Sequence, residues 1–135
     1  MQRAFAHLSW IQPIPRHFLH VWLVGLPIVD LAARLPLELD YRCVNCFHSA
    51  VVVQVRAPVL VGLHPEPTFL PHMTIGVTTQ PHLPEPLRTA IRPLRDVGFG
   101  RQRASEAKRI SFPAGRTTVL QPWTVVDVVP RPRAR

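Results

Sequence analysis

His72 and Thr74 stand two residues apart in the run Phe69-Leu70-Pro71-His72-Met73-Thr74-Ile75-Gly76-Val77-Thr78. Successive side chains of an extended strand point to opposite faces. His72, Thr74, Gly76 and Thr78 are therefore predicted on one face, and Met73, Ile75 and Val77 on the other, facing a core. An imidazole can carry a proton near neutral pH, and a hydroxyl can donate to an anionic oxygen. A glycine on the same face leaves room for a ligand beside them.

A single His-x-Thr is a common pattern, and its chemistry depends on what faces it. Two histidines across one cleft permit in-line displacement at phosphorus without a metal. One deprotonates the attacking hydroxyl or water, and the other protonates the leaving oxygen. Hydroxyls at the +2 positions steady the equatorial oxygens as charge develops. The favoured partner is His20, in Leu19-His20-Val21-Trp22-Leu23, although its +2 residue is Trp22 rather than Thr or Ser. The other candidate is His7, in His7-Leu8-Ser9-Trp10; it has a +2 hydroxyl, but little sheet can precede it. Such a pair predicts a bell-shaped rate profile around neutrality.

The elements that must position these groups are short, because 16 prolines punctuate 135 residues. Apolar residues make up 47%, which excludes wholesale disorder and suits one domain, 1–130. Strands are predicted over 4–12, 17–24, 37–44, 48–56, 71–79, 104–112, 116–120 and 123–129. Ile28, Leu31, Ala32 and Leu35 recur at helical spacing, giving a helix over 28–35. Leu87, Ala90, Ile91 and Leu94 give another over about 85–95, which Pro93 should kink or end. Residues 57–70, rich in proline, are predicted as a loop feeding the His72 strand. Pro130-Arg131-Pro132-Arg133-Ala134-Arg135 reads as a disordered basic tail beyond the domain, 131–135.

Sixteen Lys and Arg against eight Asp and Glu give a formal charge of +8, and all but one of the basic residues are Arg. Arg forks match phosphate oxygens, which suits a phosphate-bearing partner; Arg, Pro and Ala also rise together as a habit of composition. Arg16, Arg42 and Arg116 are candidates to neutralise a phosphate, and spacing singles out none of them. Cys43 and Cys46 form the one CxxC, which with His48 falls short of a four-ligand zinc set. They read as two reduced, partly buried thiols. No metal or cofactor is expected. No sustained apolar run follows Met1, and Phe18 to Val29 is too short to span a bilayer, so a soluble cytoplasmic protein without a membrane partner is expected.

The runs Phe47-His48-Ser49-Ala50-Val51-Val52-Val53 and Phe69-Leu70-Pro71-His72-Met73-Thr74-Ile75-Gly76-Val77 resemble the 2H phosphoesterase superfamily, and within it the 2′-5′ RNA ligase-like, cyclic phosphodiesterase family. The likeness is strongest from about residue 47 to 129. It implies an α+β fold with antiparallel sheets in two pseudo-symmetric lobes, helices on the outer faces, and a first lobe that is reduced here. It implies His72 as a catalytic histidine with Thr74 as its phosphate-binding partner, and His20 as the histidine of the first motif, with Trp22 departing from that motif. The function it implies is metal-independent cleavage of RNA-type phosphates, acting on RNA ends or nucleotide 2′,3′-cyclic phosphates. The alternative is a catalytically inactive member that binds nucleotide or RNA, with Trp22 stacking on a base. A third reading is a homo-oligomer whose thin first lobe is finished by another subunit, since exposed sheet edges favour such pairing.

Overall fold

The strands β1 (Ile11–Pro13), β4 (His72–Thr78), β3 (Ala50–Arg56), β2 (Leu37–Phe47) and β5 (Gly100–Ala104) lie side by side in that order in one antiparallel sheet. Two further strands, β6 (Glu106–Ser111) and β7 (Thr124–Pro130), pair as a separate antiparallel sheet. Three short helices complete the chain: α1 (Ile28–Arg34), α2 (Pro58–Leu63) and α3 (Pro84–Ile91). The computed structural model describes residues 2–21, 23, 25–47, 49–81, 83–111 and 124–130. The predicted strand at 116–120 and the predicted tail at 131–135 lie outside them.

Strand β3 is central because its side chains are apolar on both faces. Val51, Val52 and Val53 are all fully buried, as a strand with neighbours on either side requires. Helix α1 buries Leu31, and Leu35 just beyond it, against that sheet, following the predicted stripe. Helix α3 buries Leu87 and Ile91. Pro84 and Pro86 sit in its first turn, where a missing N–H costs nothing. Pro93 passes the chain into a 3-10 turn, Arg92–Leu94.

Three predicted elements differ. Residues 57–70 are not all loop: α2 starts on Pro58, whose fixed φ suits the first helical position, and it buries Leu60. Residues 4–12 fold as a 3-10 turn, Gln2–Phe5, and reach the sheet only at β1. Of the predicted strand 17–24, the described residues form a 3-10 turn, Arg16–Phe18, followed by a single antiparallel bridge from Val21 to Met73. The physical reason is Pro13 and Pro15, which lack ladder donors. The amide of Gln2 substitutes for the missing ladder, since Nε2 donates to the carbonyls of Ile14 and Ile75, both at 2.8 Å. The strand predicted at 104–112 is β6, and β5 adds a strand that the sequence pattern did not predict.

Two apolar clusters form the core. One gathers Phe5, Leu8, Ile11, Val44, Val51, Val53, Ile75, Leu87 and Ile91; the other gathers Leu31, Leu35, Leu37, Leu39, Val55, Ala57, Leu60 and Val129. Tyr41 touches both, and its hydroxyl donates to Gln102 Oε1 at 2.7 Å. Burial pushes the Tyr41 phenol above its ordinary value of 10.0. The unfolded chain then ionises before the folded one, so folding stability is full below pH 10 and declines as pH rises above it. Tyr41→Phe is expected to flatten that decline in alkaline urea melts, while leaving stability at neutral pH nearly unchanged.

A slip in register between β3 and β4 alters the predicted faces. Val52 lies opposite Thr74 and Val51 opposite Gly76, so Ile75 is an extra residue in β4. Its carbonyl accepts from Ile14 N–H at 3.0 Å. Beyond this bulge the alternation reverses. Gly76 and Thr78 pair with Pro13 and Ile11 on the core side, not on the His72 face. A Cβ at Gly76 would stand 3.1 Å from Ile11 Cγ2 and from Phe5 Cε2, so the glycine admits core side chains rather than a ligand.

Candidate functional site

His72 opens β4 on the face that also carries Thr74. Its Nδ1 lies 2.8 Å from the carbonyl oxygen of Leu70. A carbonyl only accepts, so Nδ1 holds the proton, and the lone pair is left on Nε2. The edge of Phe47, at the end of β2, packs on the ring with centroids 5.1 Å apart at 79°. The backbone therefore selects the tautomer, and an aromatic ring fixes the orientation of the imidazole.

The half-buried ring lines a cavity of about 370 Å³ with Phe47, His64, Glu66, Thr68, Phe69 and Leu70. A second histidine is thus present, but it is His64, supplied by the turn after α2. His64 stacks on Phe69 at 3.9 Å between centroids and 11° between planes. Its Nδ1 accepts the Glu66 N–H at 3.0 Å, which places the remaining ring proton on Nε2. The two imidazoles therefore carry opposite tautomers, one presenting a lone pair at Nε2 and the other a proton. Gly25, at φ 86°, stands beside His64: a Cβ there would lie 3.4 Å from Nε2.

The pairing of His20 with His72 is not assembled. His20 lines a different and larger cavity, of about 1220 Å³, together with His17, Val21, Tyr41 and Met73. Val21, the residue after His20, bridges to Met73, and Met73 lines the same larger cavity as His20. His20 Nε2 is shut off from solvent.

Thr74 keeps the face of His72 and is half-buried opposite Val52, but the threonine that lines the His72 cavity is Thr68. His7 is exposed and lines neither cavity. Of the arginines, Arg42 pairs with Asp40 at 2.8 Å on its own strand, Arg16 is exposed beside Pro15, and Arg116 lies outside the described residues. Trp22 also lies outside them. Cys43 and Cys46 are free, half-buried thiols; Cys43 Sγ donates to Gln54 Oε1 at 2.9 Å. Among the described residues, no three His, Cys, Asp or Glu side chains converge as a metal cluster.

His64, Thr68 and Phe47 escaped the sequence reading. The signal for the first two was the string His64-Pro65-Glu66-Pro67-Thr68 just before the His72 strand. Alternating prolines stiffen such a segment, and a stiff segment can hold a side chain against the strand it feeds. No protein-family model, curated protein or solved structure matches this chain.

Proposed function

We propose that this chain is a metal-independent phosphoesterase related to the 2H superfamily, acting on RNA-type phosphate ends in the cytoplasm, with its chemistry on one histidine, His72, in place of the usual two. The observation that carries the proposal is the Leu70 carbonyl on Nδ1, which leaves the lone pair on Nε2 of a histidine that lines a cavity. Nε2 takes the proton of an attacking water as its oxygen bonds to phosphorus. The P–O bond to one ribose oxygen of a 2′,3′-cyclic phosphate breaks, and solvent protonates the leaving oxygen. Thr68 lines the same cavity and carries a hydroxyl that can donate to a phosphate oxygen. Phe47, 39% exposed, offers an aromatic surface at the rim where a base can stack. A chain of net charge +8 draws such anions in. Two pseudo-symmetric lobes belong to the same proposal, with the first reduced to the Val21 bridge where a full lobe supplies a strand.

The second reading is a nucleotide- or RNA-binding protein without turnover. It is favoured by one observation: His20, the acid that two-histidine catalysis calls for, lines the other cavity. Incubation of the purified chain with a nucleoside 2′,3′-cyclic phosphate in EDTA separates the two. Release of a nucleoside monophosphate supports the first reading. Saturable binding without release supports the second, and the absence of both release and binding would sink both. His20→Ala is expected to change turnover less than about twofold, since it lies outside the reacting cavity. A loss of about a hundredfold or more, the scale of a missing acid or base, would restore the two-histidine scheme.

A further inference from the structure

The larger cavity has a chemistry unlike that of the His72 site. Among the described residues its wall is mostly aliphatic: Leu19, Leu23, Leu31, Leu39, Leu60 and Met73 contribute. Its volume, about 1220 Å³, exceeds the roughly 300–1,000 Å³ of ordinary small-molecule sites. Two of its apolar wall residues keep much of their surface open, Ile28 at 39% and Val125 at 45%. That surface is stabilised only when something apolar covers it.

The charged groups on the same wall are Arg103, Lys108 and Arg109 against one carboxylate, Glu106, with His17 and His20 beside them. The cations are loosely engaged. Arg103 Nε stands 3.9 Å from Glu38, Lys108 Nζ 3.8 Å from Glu106, and Arg109 Nη2 4.0 Å from Asp127. All three pairs are more than half exposed, so each contributes little and can be exchanged for a better anion. An aliphatic trough with an exchangeable cationic rim fits one kind of occupant.

We propose that this cavity binds a single-chain anionic amphiphile, with its alkyl chain along the aliphatic wall and its carboxylate or phosphate head among Arg103, Lys108 and Arg109. The site is separate from the His72 cavity and does not depend on the reading proposed for it.

The test is calorimetric titration of the full chain with decanoate, dodecanoate and tetradecanoate, each below its micelle concentration. Dodecyl phosphate, dodecyltrimethylammonium and phosphatidylglycerol vesicles serve as comparison arms. One ligand per chain is expected. Each added CH₂ strengthens binding by up to about fourfold, so tetradecanoate, with four more, should bind up to about 250-fold tighter than decanoate. The dodecyl anions should bind, and the ammonium of equal length should bind much more weakly. Arg103→Gln with Lys108→Gln should erase that head-group preference while keeping the dependence on chain length. Ala107→Trp, which fills the cavity from β6, should abolish binding with an unchanged circular dichroism spectrum. Should that variant fail to fold, the chain-length series on the unaltered protein still decides. Affinity independent of chain length, many ligands per chain, or capture by vesicles alone would overturn the proposal.

Discussion

His72→Ala is expected to lower the rate of 2′,3′-cyclic phosphate opening by about a hundredfold to ten-thousandfold, the usual contribution of a positioned acid or base. The loss should fall on the rate of the chemical step rather than on ground-state binding, because the imidazole acts on the water and not on the base or ribose. His72→Gln is the companion variant. It can keep a hydrogen bond to the Leu70 carbonyl at the strand entrance, yet it carries no basic nitrogen. Equal losses in both variants, with unchanged thermal melts, locate the defect in proton transfer. Activity retained in either variant would remove His72 from the reaction. Phe47→Ala separates holding from chemistry, since it takes away the edge-on ring at 5.1 Å and a stacking surface but no proton carrier. It should weaken nucleotide binding by about 1–3 kcal/mol.

The largest effect on stability is expected at Phe5. Its ring is fully buried at the centre of the first cluster, in contact range of Gly76. Phe5→Ala should destabilise the fold by about 3–5 kcal/mol, from lost burial and the cavity left behind. Urea melts at neutral pH measure it. The same geometry predicts a coupling. Gly76→Ala alone forces its new methyl to 3.1 Å from the Phe5 ring and from Ile11. Combined with Phe5→Ala that crowding is partly relieved, so the double variant should lose less than the sum of the two single losses. Strict additivity would mean that Phe5 and Gly76 do not share the space the structure gives them. Because Phe5 lies in the first turn of the chain and Gly76 in β4, this pair also tests whether the N-terminal segment docks on the sheet.

The elements that followed their sequence pattern are those with a single dominant period. Helix α3 shows its stripe at Leu87 and Ile91, and its proline start, in eight residues. Strand β3 is apolar enough, and β2 alternates enough, to be placed within a few residues. The failures have physical causes. The period-2 argument on β4 assumed an unbroken ladder, and the extra residue Ile75 reverses the faces beyond it. The adjacent glycine, read as room for a ligand, is a familiar companion of such bulges and of close packing. Proline over 57–70 was read as loop, although Pro58 is well suited to begin α2. The N-terminal segments alternate apolar and polar residues like strands, yet Pro13 and Pro15 remove the donors a ladder requires.

The candidate site was legible by residue type but not by partnership. His72 stands where the alternation placed it, half-buried at a cavity wall with its tautomer set by Leu70. What the spacing could not tell is which histidine faces it. Sequence order made His20 attractive, because it precedes a helix and a strand pair. The chain instead bridges Val21 to Met73, and His20 lines a different cavity from His72. His64, only eight residues upstream, comes to the His72 side through a short turn. That outcome depends on where α2 ends and how Phe69 stacks, both of which are properties of packing and not of spacing.

The central claim is that a phosphate seats against His72. The most direct measurement is the imidazole nitrogen resonances of the labelled chain during titration with a nucleoside 3′-monophosphate, with His72 and His20 assigned by substitution. The structure predicts a free His72 protonated at Nδ1, and a saturable shift of its Nε2 on binding while the His20 ring stays unmoved. A shift confined to His20, or none at His72 at saturating ligand, would contradict it.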